Sequence, residues 1–211
     1  MNKKGVVILT EFSELLESRR SVYNLGKETD LSQEEIVTGI RHAVHNTPSA
    51  FNSQTSRVVV LFDEAKTKFW DHIYQTQKDL LPEQSKDFLL GAIENARDEA
   101  LGTALVFEDH EALDQMPSNE DRTNVYKDQN SAMVHYAIWL RLKELNLGAS
   151  LQHFNLGYEQ GFDAETRKLF DLPDTYELVA ELPFGSINEP AQEKDHIDTH
   201  TEVQVRTEVS N

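Results

Sequence analysis

A layered α+β or α/β arrangement is what this sequence predicts, and three observations carry the prediction. Helix-spaced apolar patterns outnumber strand-like runs. The two clearest strand-like runs, residues 58–62 (VVVLF) and 102–107 (GTALVF), have helical patterns between and around them. One helical pattern, residues 126–145, is apolar nearly all round, as a central helix should be.

The elements follow in order. In residues 11–18, Phe12, Leu15 and Leu16 fall at i, i+3 and i+4 and make one apolar helix face. The pattern runs into Arg19 and Arg20, cations suited to the negative end of a helix dipole. Asn24-Leu25-Gly26 reads as a turn. Ser32 followed by Glu35 is a capping box, and Ile36, Ile40, Ala43 and Val44 continue that helix to about residue 46. Residues 58–62 read as a strand buried on both faces. Residues 64–75 and 83–96 read as two helices split by Leu81-Pro82, and 102–107 as a second buried strand. Residues 109–116 suggest a short helix, and 118–124 a mobile polar loop. In the long helix, Met133 and Trp139 are expected in the core, and Asn146-Leu147-Gly148 provides a left-handed stop. Residues 163–170 read as a helix capped by Asp163 and 176–182 as a strand, with Pro183-Phe184-Gly185 turning away. Residues 186–199 are polar and extended, and residues 202–206 alternate as a solvent-edged strand does.

The bulk properties narrow the function. At 211 residues the chain suits one domain, residues 1–211. No apolar run approaches the roughly 20 residues needed to cross a bilayer. The patch Gly5-Val6-Val7-Ile8-Leu9, after Lys3-Lys4, is shorter than a signal-peptide core of about 7–15 residues, so a cytoplasmic location is expected. Without cysteine there are no disulfides and no thiolate chemistry. A formal net charge of −17 argues against nucleic acid and anionic membrane as partners. It also makes the adjacent cations Arg19 and Arg20 conspicuous, either as an anion site or as a solvated helix end.

The stretch between the second helix and the first long strand is unusual. His45-Asn46-Thr47-Pro48-Ser49-Ala50-Phe51-Asn52-Ser53-Gln54 is longer than a connector needs and crowded with short polar side chains. It reads either as a binding loop for a ligand rich in polar atoms, or as a set of turns closed by its own side chains.

The segments RRSVY (19–23) and PSAFNSQ (48–54), followed by LNLGASLQHFN (145–155) and LPFG (182–185), resemble in that order the nitroreductase family of FMN-dependent oxidoreductases. The LQHFN run resembles the subgroup of fungal fatty-acid-regulated nitroreductase-like proteins and their bacterial relatives. The resemblance implies an α+β fold: a mixed central sheet wrapped by helices, in a homodimer whose C-terminal strand crosses to the partner's sheet. It implies FMN as cofactor, with Arg19, Arg20 and Ser21 near the phosphate and Lys194 joining them. Many relatives carry a second cation two residues on, where this chain has His196. It places Pro48, Ser49, Ala50, Asn52 and Gln54 against the ring and ribityl chain from the other subunit. Many relatives continue that loop with Pro-Trp, where this chain has Thr55-Ser56. Gln152 and His153 are implied near the flavin edge, with a proton-donor role for His153 open. Gly185 completes the implied cofactor set.

The implied activity is electron transfer from NADH or NADPH, bound transiently, to a nitroaromatic, quinone or similar small-molecule acceptor by a ping-pong route. The cofactor carries the chemistry, and no side chain is assigned as catalytic. The alternative is a flavin-binding stress-response or regulatory protein with little turnover. No GxGxxG, P-loop or GxSxG pattern points to another class. His196 and His200 lie in an extended tract, about 13 Å apart along the chain, so no metal site is expected.

Overall fold

The computed structural model describes residues 11–154 and 162–208. The apolar patch 5–9 and Asn155 of the LQHFN run lie outside them. Among the described residues there are eight α-helices and five strands. Helix α1 (Glu11–Ser18) leads to a short strand β1 (Leu25–Gly26), where a turn was expected. Helix α2 (Gln33–Asn46) begins with the predicted capping box, Ser32 and Glu35 each bonding the other's backbone N–H. Strand β2 (Ser56–Phe62) runs into α3 (Asp63–Gln77), then α4 (Lys86–Asp98). Strand β3 (Gly102–Asp109) is followed by the five-residue α5 (His110–Asp114). Helix α6 (Glu120–Glu144) begins at the Asn119 cap and absorbs most of the segment expected to be a mobile loop. Asn119 accepts from the N–H of Arg122, and Glu120 and Asp121 suit the positive end of the helix dipole.

The sheet order is β1-β5-β3-β2, with β5 (Tyr176–Ile187) also pairing β4 (Gly148–Ala149). These ladders are antiparallel, and parallel pairing enters only at the isolated bridge between Ser21 and Ala149 among the described residues. The expected turn at Pro183-Phe184-Gly185 is instead sheet. Strand β5 continues to Ile187 because Pro183 and Phe184 pair β3, Phe184 and Gly185 pair β4, and Ser186 and Ile187 pair β1. Helix α7 (Phe162–Leu169) contains Asp163, whose carboxylate accepts from the N–H of Leu178.

Strand β3 is buried along its whole length because it lies between two cores. Ala104 and Val106 face α2 and α6, packing with Ile36, Ile40, Val134 and Ile138. Leu105 and Phe107 face α3 and α4, packing with Phe69, Trp70, Ile73 and Ile93. Full burial of each such side chain contributes about 1.5–3 kcal/mol. Strand β2 differs from its prediction: it is an edge strand, and only Leu61 in it is buried. Met133 and Tyr136 on α6, and Phe12 and Leu16 on α1, are exposed in the single chain. Residues 202–206 form no strand there; the four-residue α8 (Thr199–Glu202) precedes an exposed tail with Val203 72% and Val205 79% exposed.

Candidate functional site

The loop after α2 is built on strained backbone. Phe51, Asn52 and Gln54 have φ of 56°, 54° and 46°, a region that costs non-glycine residues about 1–3 kcal/mol each. Surrounding bonds hold it there. The N–H of Asn52 donates to Ser49 O (3.0 Å), that of Ser53 to Ala50 O (3.0 Å), and that of Gln54 to Ser49 Oγ (3.0 Å). Ser49 therefore closes the turn. The Asn52 carboxamide is exposed and bonds nothing in the chain among the described residues, so no Asx-turn occupies it. Pro48, Ser49, Asn52 and Gln54 line one wall of a cavity of about 820 Å³. Val37 and Val44 of α2 with Val58 and Val60 of β2 give the same cavity an apolar side. Ala50 stands beside it, its N–H turned inward to Asn130 Oδ1 (2.9 Å).

The cations gather elsewhere. Arg19, Arg20, Ser21 and Lys194 line a second cavity, of about 510 Å³, with Tyr23 and Phe88 as its aromatic wall. The Arg19 guanidinium lies 4.1 Å from the Trp139 ring and 5.7 Å from that of Tyr136. Stacking of this kind pre-orients the fork. Its buried Nε has no hydrogen-bond partner among the described residues. Arg20 donates to Gln192 O and so ties the C-terminal segment to the same wall. Trp139 Nε1–H donates to Ala149 O (3.2 Å), which also accepts from Val22 N–H (3.0 Å), fixing the base of the motif. His196 is exposed and does not line this cavity.

The remaining candidates lie apart from both cavities. Gln152 is buried and bridges Glu181 of β5, and its Nε2 donates to Ser150 Oγ (2.9 Å). His153 has an exposed edge, and burial of the rest of its ring lowers its pKa from the ordinary histidine value. Gly185 has a packing reason to be glycine: a Cβ there would lie 2.1 Å from Gly26 O and 3.0 Å from Leu101 N.

A sequence profile of the nitroreductase family matches residues 16–186, from the end of α1 to within one residue of the end of β5. The chain belongs to the nitroreductase family. Nitroreductase CinD from Lactococcus lactis, solved in complex with chloramphenicol, is 32% identical and superposes with a TM-score of 0.78, over 93% of this chain and 100% of that one. CinD has also been solved with 4-nitrophenol and with nicotinic acid. The nitroreductase-family protein Hbn1 of Saccharomyces cerevisiae is 28% identical over 194 residues, 89% of this chain and 94% of its own. A nitroreductase-fold protein from Exiguobacterium sibiricum, solved in complex with FMN, shares the fold at 16% identity, with a TM-score of 0.71 over 94% of this chain and 98% of that one. Family membership supports an oxidoreductase.

Two residues of this nitroreductase-family chain escaped the sequence reading, both on α6. Asn130 is 1% exposed and pins the strained loop from beneath. Its Oδ1 accepts from Ala50 N–H, and its Nδ2 donates to Ser53 Oγ (3.2 Å) and Thr55 Oγ1 (3.3 Å). The available signal was spacing, since Asn130 precedes Val134 and Ile138 on one buried row. The other is His135, 6% exposed, on the row of Ser131, Ile138 and Leu142. Its ring centroid lies 6.5 Å from that of His153, at an interplanar angle of 71°.

Proposed function

We propose that this nitroreductase-family chain is an FMN-dependent oxidoreductase acting in the cytoplasm as a homodimer. It passes electrons from NADH or NADPH to nitroaromatic, quinone or similar acceptors by a ping-pong route. The observation that carries the reading is the donor set of the smaller cavity. Two arginines and a lysine converge there in a chain of net charge −17, and the buried Arg19 Nε lacks a partner among the described residues. This chemistry fits a phosphate. The free Asn52 carboxamide in a strained loop fits a ligand rich in polar edges.

The two residue groups line separate cavities of one chain. A homodimer would bring the loop of one subunit to the cations of its partner. Exposed Met133, Tyr136, Val203 and Val205 and the half-covered edge strand β2 support such an interface. The tail 202–206, with its alternating pattern, would cross to the partner's sheet.

Bound FMN would accept a hydride from the nicotinamide donor and pass it to the acceptor. The protein's part is to bind and orient. Arg19, Arg20 and Lys194 would hold the phosphate, with Ser21 beside it. Pro48, Ser49, Ala50, Asn52 and Gln54 would meet the ring and ribityl chain. Gln152 and His153 would face the ring edge. Gly185 would serve the site by letting β5 pass close to β1. CinD complexes with chloramphenicol and 4-nitrophenol, both nitroaromatic, support the acceptor class, and the complex with nicotinic acid supports a nicotinamide-like donor.

Purified protein should be yellow, with oxidised-flavin absorbance that bleaches on anaerobic addition of NADH or NADPH and returns on addition of 4-nitrophenol or a quinone. A colourless protein that takes up no added FMN would refute the cofactor. A yellow protein that neither nucleotide bleaches would refute the turnover.

A further inference from the structure

The core contains a histidine that none of the roles above employs. His135 is almost fully buried on α6, and its Nε2 has no hydrogen-bond partner among the described residues. A buried imidazole nitrogen without a partner is rare in folded proteins. What the ring does have is a second imidazole, His153, standing edge-on at 6.5 Å on the loop after β4. One ring is in the core and the other has an edge in solvent.

We propose that His135 is a positioning residue for His153: its ring covers one side of that imidazole from inside the core and sets the charge and orientation with which His153 meets the flavin edge. The consequence for turnover rests on the oxidoreductase reading above; the pairing of the two rings does not.

The physical basis is desolvation. A charged imidazole needs water or a counter-charge. Burial holds His135 down to about 4, with His153 adding repulsion, so His135 is uncharged throughout the neutral range. Burial also lowers His153. On β5, Glu181 is tied to the residue after His153: its carboxylate Oε2 accepts from the N–H of Phe154 (2.9 Å). No charged partner among the described residues offsets the burial of either ring. His153 therefore presents one donor and one acceptor at neutral pH, and two donors with a positive charge only on acidification.

During turnover a hydride, two electrons with one proton, would pass from the reduced flavin to the acceptor. The flavin is left oxidised, and an oxyanion forms on a nitro or quinone oxygen. Charged His153 would stabilise that oxyanion. Acceptor reduction should thus accelerate as pH falls through the His153 midpoint, and removing the covering ring should move that midpoint up.

NMR titration of the His ring protons, in protein free of acceptor, reads the pairing directly. In wild type, His153 should titrate below the ordinary histidine value of about 6.5 and His135 should not titrate above about pH 5. In His135→Ala the His153 midpoint should rise by about half to one unit, while His135→Phe, which keeps a covering ring, should leave it near wild type. A wild-type His153 midpoint at or above 6.5, or one unmoved in His135→Ala, would overturn the pairing. The pH profile of the acceptor half-reaction should follow the same shifts. An NMR shift with an unchanged kinetic profile would overturn the role in turnover. Failure to bind FMN at all would refute the functional reading and leave the NMR result standing by itself.

Discussion

Asn130→Ala should loosen the strained loop and destabilise the whole chain by a predictable amount. The substitution removes three hydrogen bonds, to Ala50 N–H, Ser53 Oγ and Thr55 Oγ1. Ser53 is partly exposed, so water replaces its lost partner at little cost. Thr55 is fully buried, and the Ala50 N–H points inward, so both feel the loss. A net hydrogen bond contributes about 0.5–1.5 kcal/mol, and a buried group left unpaired costs about 1–3 kcal/mol, which puts the total at roughly 2–4 kcal/mol. At about 2–4 °C per kcal/mol for a chain of this size, Tm should fall by roughly 5–15 °C. Phe51, Asn52 and Gln54 would also lose the anchor that holds them at positive φ, so the loop should become the first site of cleavage in limited proteolysis. Differential scanning calorimetry and timed proteolysis read both effects. A variant that melts within 1 °C of wild type, with an unchanged cleavage pattern, would show that Asn130 is not the loop's anchor.

Three further outcomes are expected. Asn52→Asp should leave Tm nearly unchanged, since the carboxamide bonds nothing in the chain and Asp also tolerates positive φ; its charge should lower the flavin potential and slow reduction by NAD(P)H, measured by anaerobic redox titration and stopped flow. Gly185→Ala should destabilise by about 3 kcal/mol or more, or fail to fold, because its Cβ meets the backbone of Gly26 and Leu101, which cannot rotate away; soluble expression with wild-type Tm would refute this. Burial lowers the Lys66 ammonium, with Lys27 adding to the effect, to about 8 from an ordinary 10.5. The folded state thus gives up that proton first, and between these values the unfolded state binds more protons, so Lys66 makes stability rise with pH there. Urea melts from pH 7.5 to 10.5 should show this rise diminished in Lys66→Met.

Much of the fold was legible in local pattern, where local chemistry and tertiary context agree. Ser32 and Glu35 form the capping box because its bonds are made within four residues. Strand β3 is buried on both faces, as its continuous apolar run implied. The errors share a cause, the placement of a segment by its neighbours. The apolar run 58–62 looks like β3, yet it sits at the sheet edge, where no covering layer completes its burial in the single chain. Pro183 and Gly185 read as a turn, yet two neighbouring strands hold them extended. The polar residues 120–124 read as a loop, but Asn119 caps them and the acidic first turn suits the dipole. In the site, the clustering of Arg19, Arg20 and Ser21 with Lys194 was legible only through family resemblance, because more than 170 residues separate the two groups. Asn130 and His135 were missed because a polar residue on a buried helix row carries no sign of which loop it meets.

The central claim is one flavin site assembled from two chains, and subunit complementation tests it most directly. One chain carries Arg19→Ala and Arg20→Ala; the other carries Asn52→Ala and Gln54→Ala. Each variant alone should retain little FMN. In a mixed dimer, one site receives both defects, and the other combines the wild-type cations of one chain with the wild-type loop of its partner. Purified heterodimer, isolated with two different affinity tags, should recover about one bound FMN per dimer and a matching fraction of NAD(P)H-dependent bleaching. A heterodimer that binds no more FMN than its parents would mean that each site is built within a single chain, and would contradict the account.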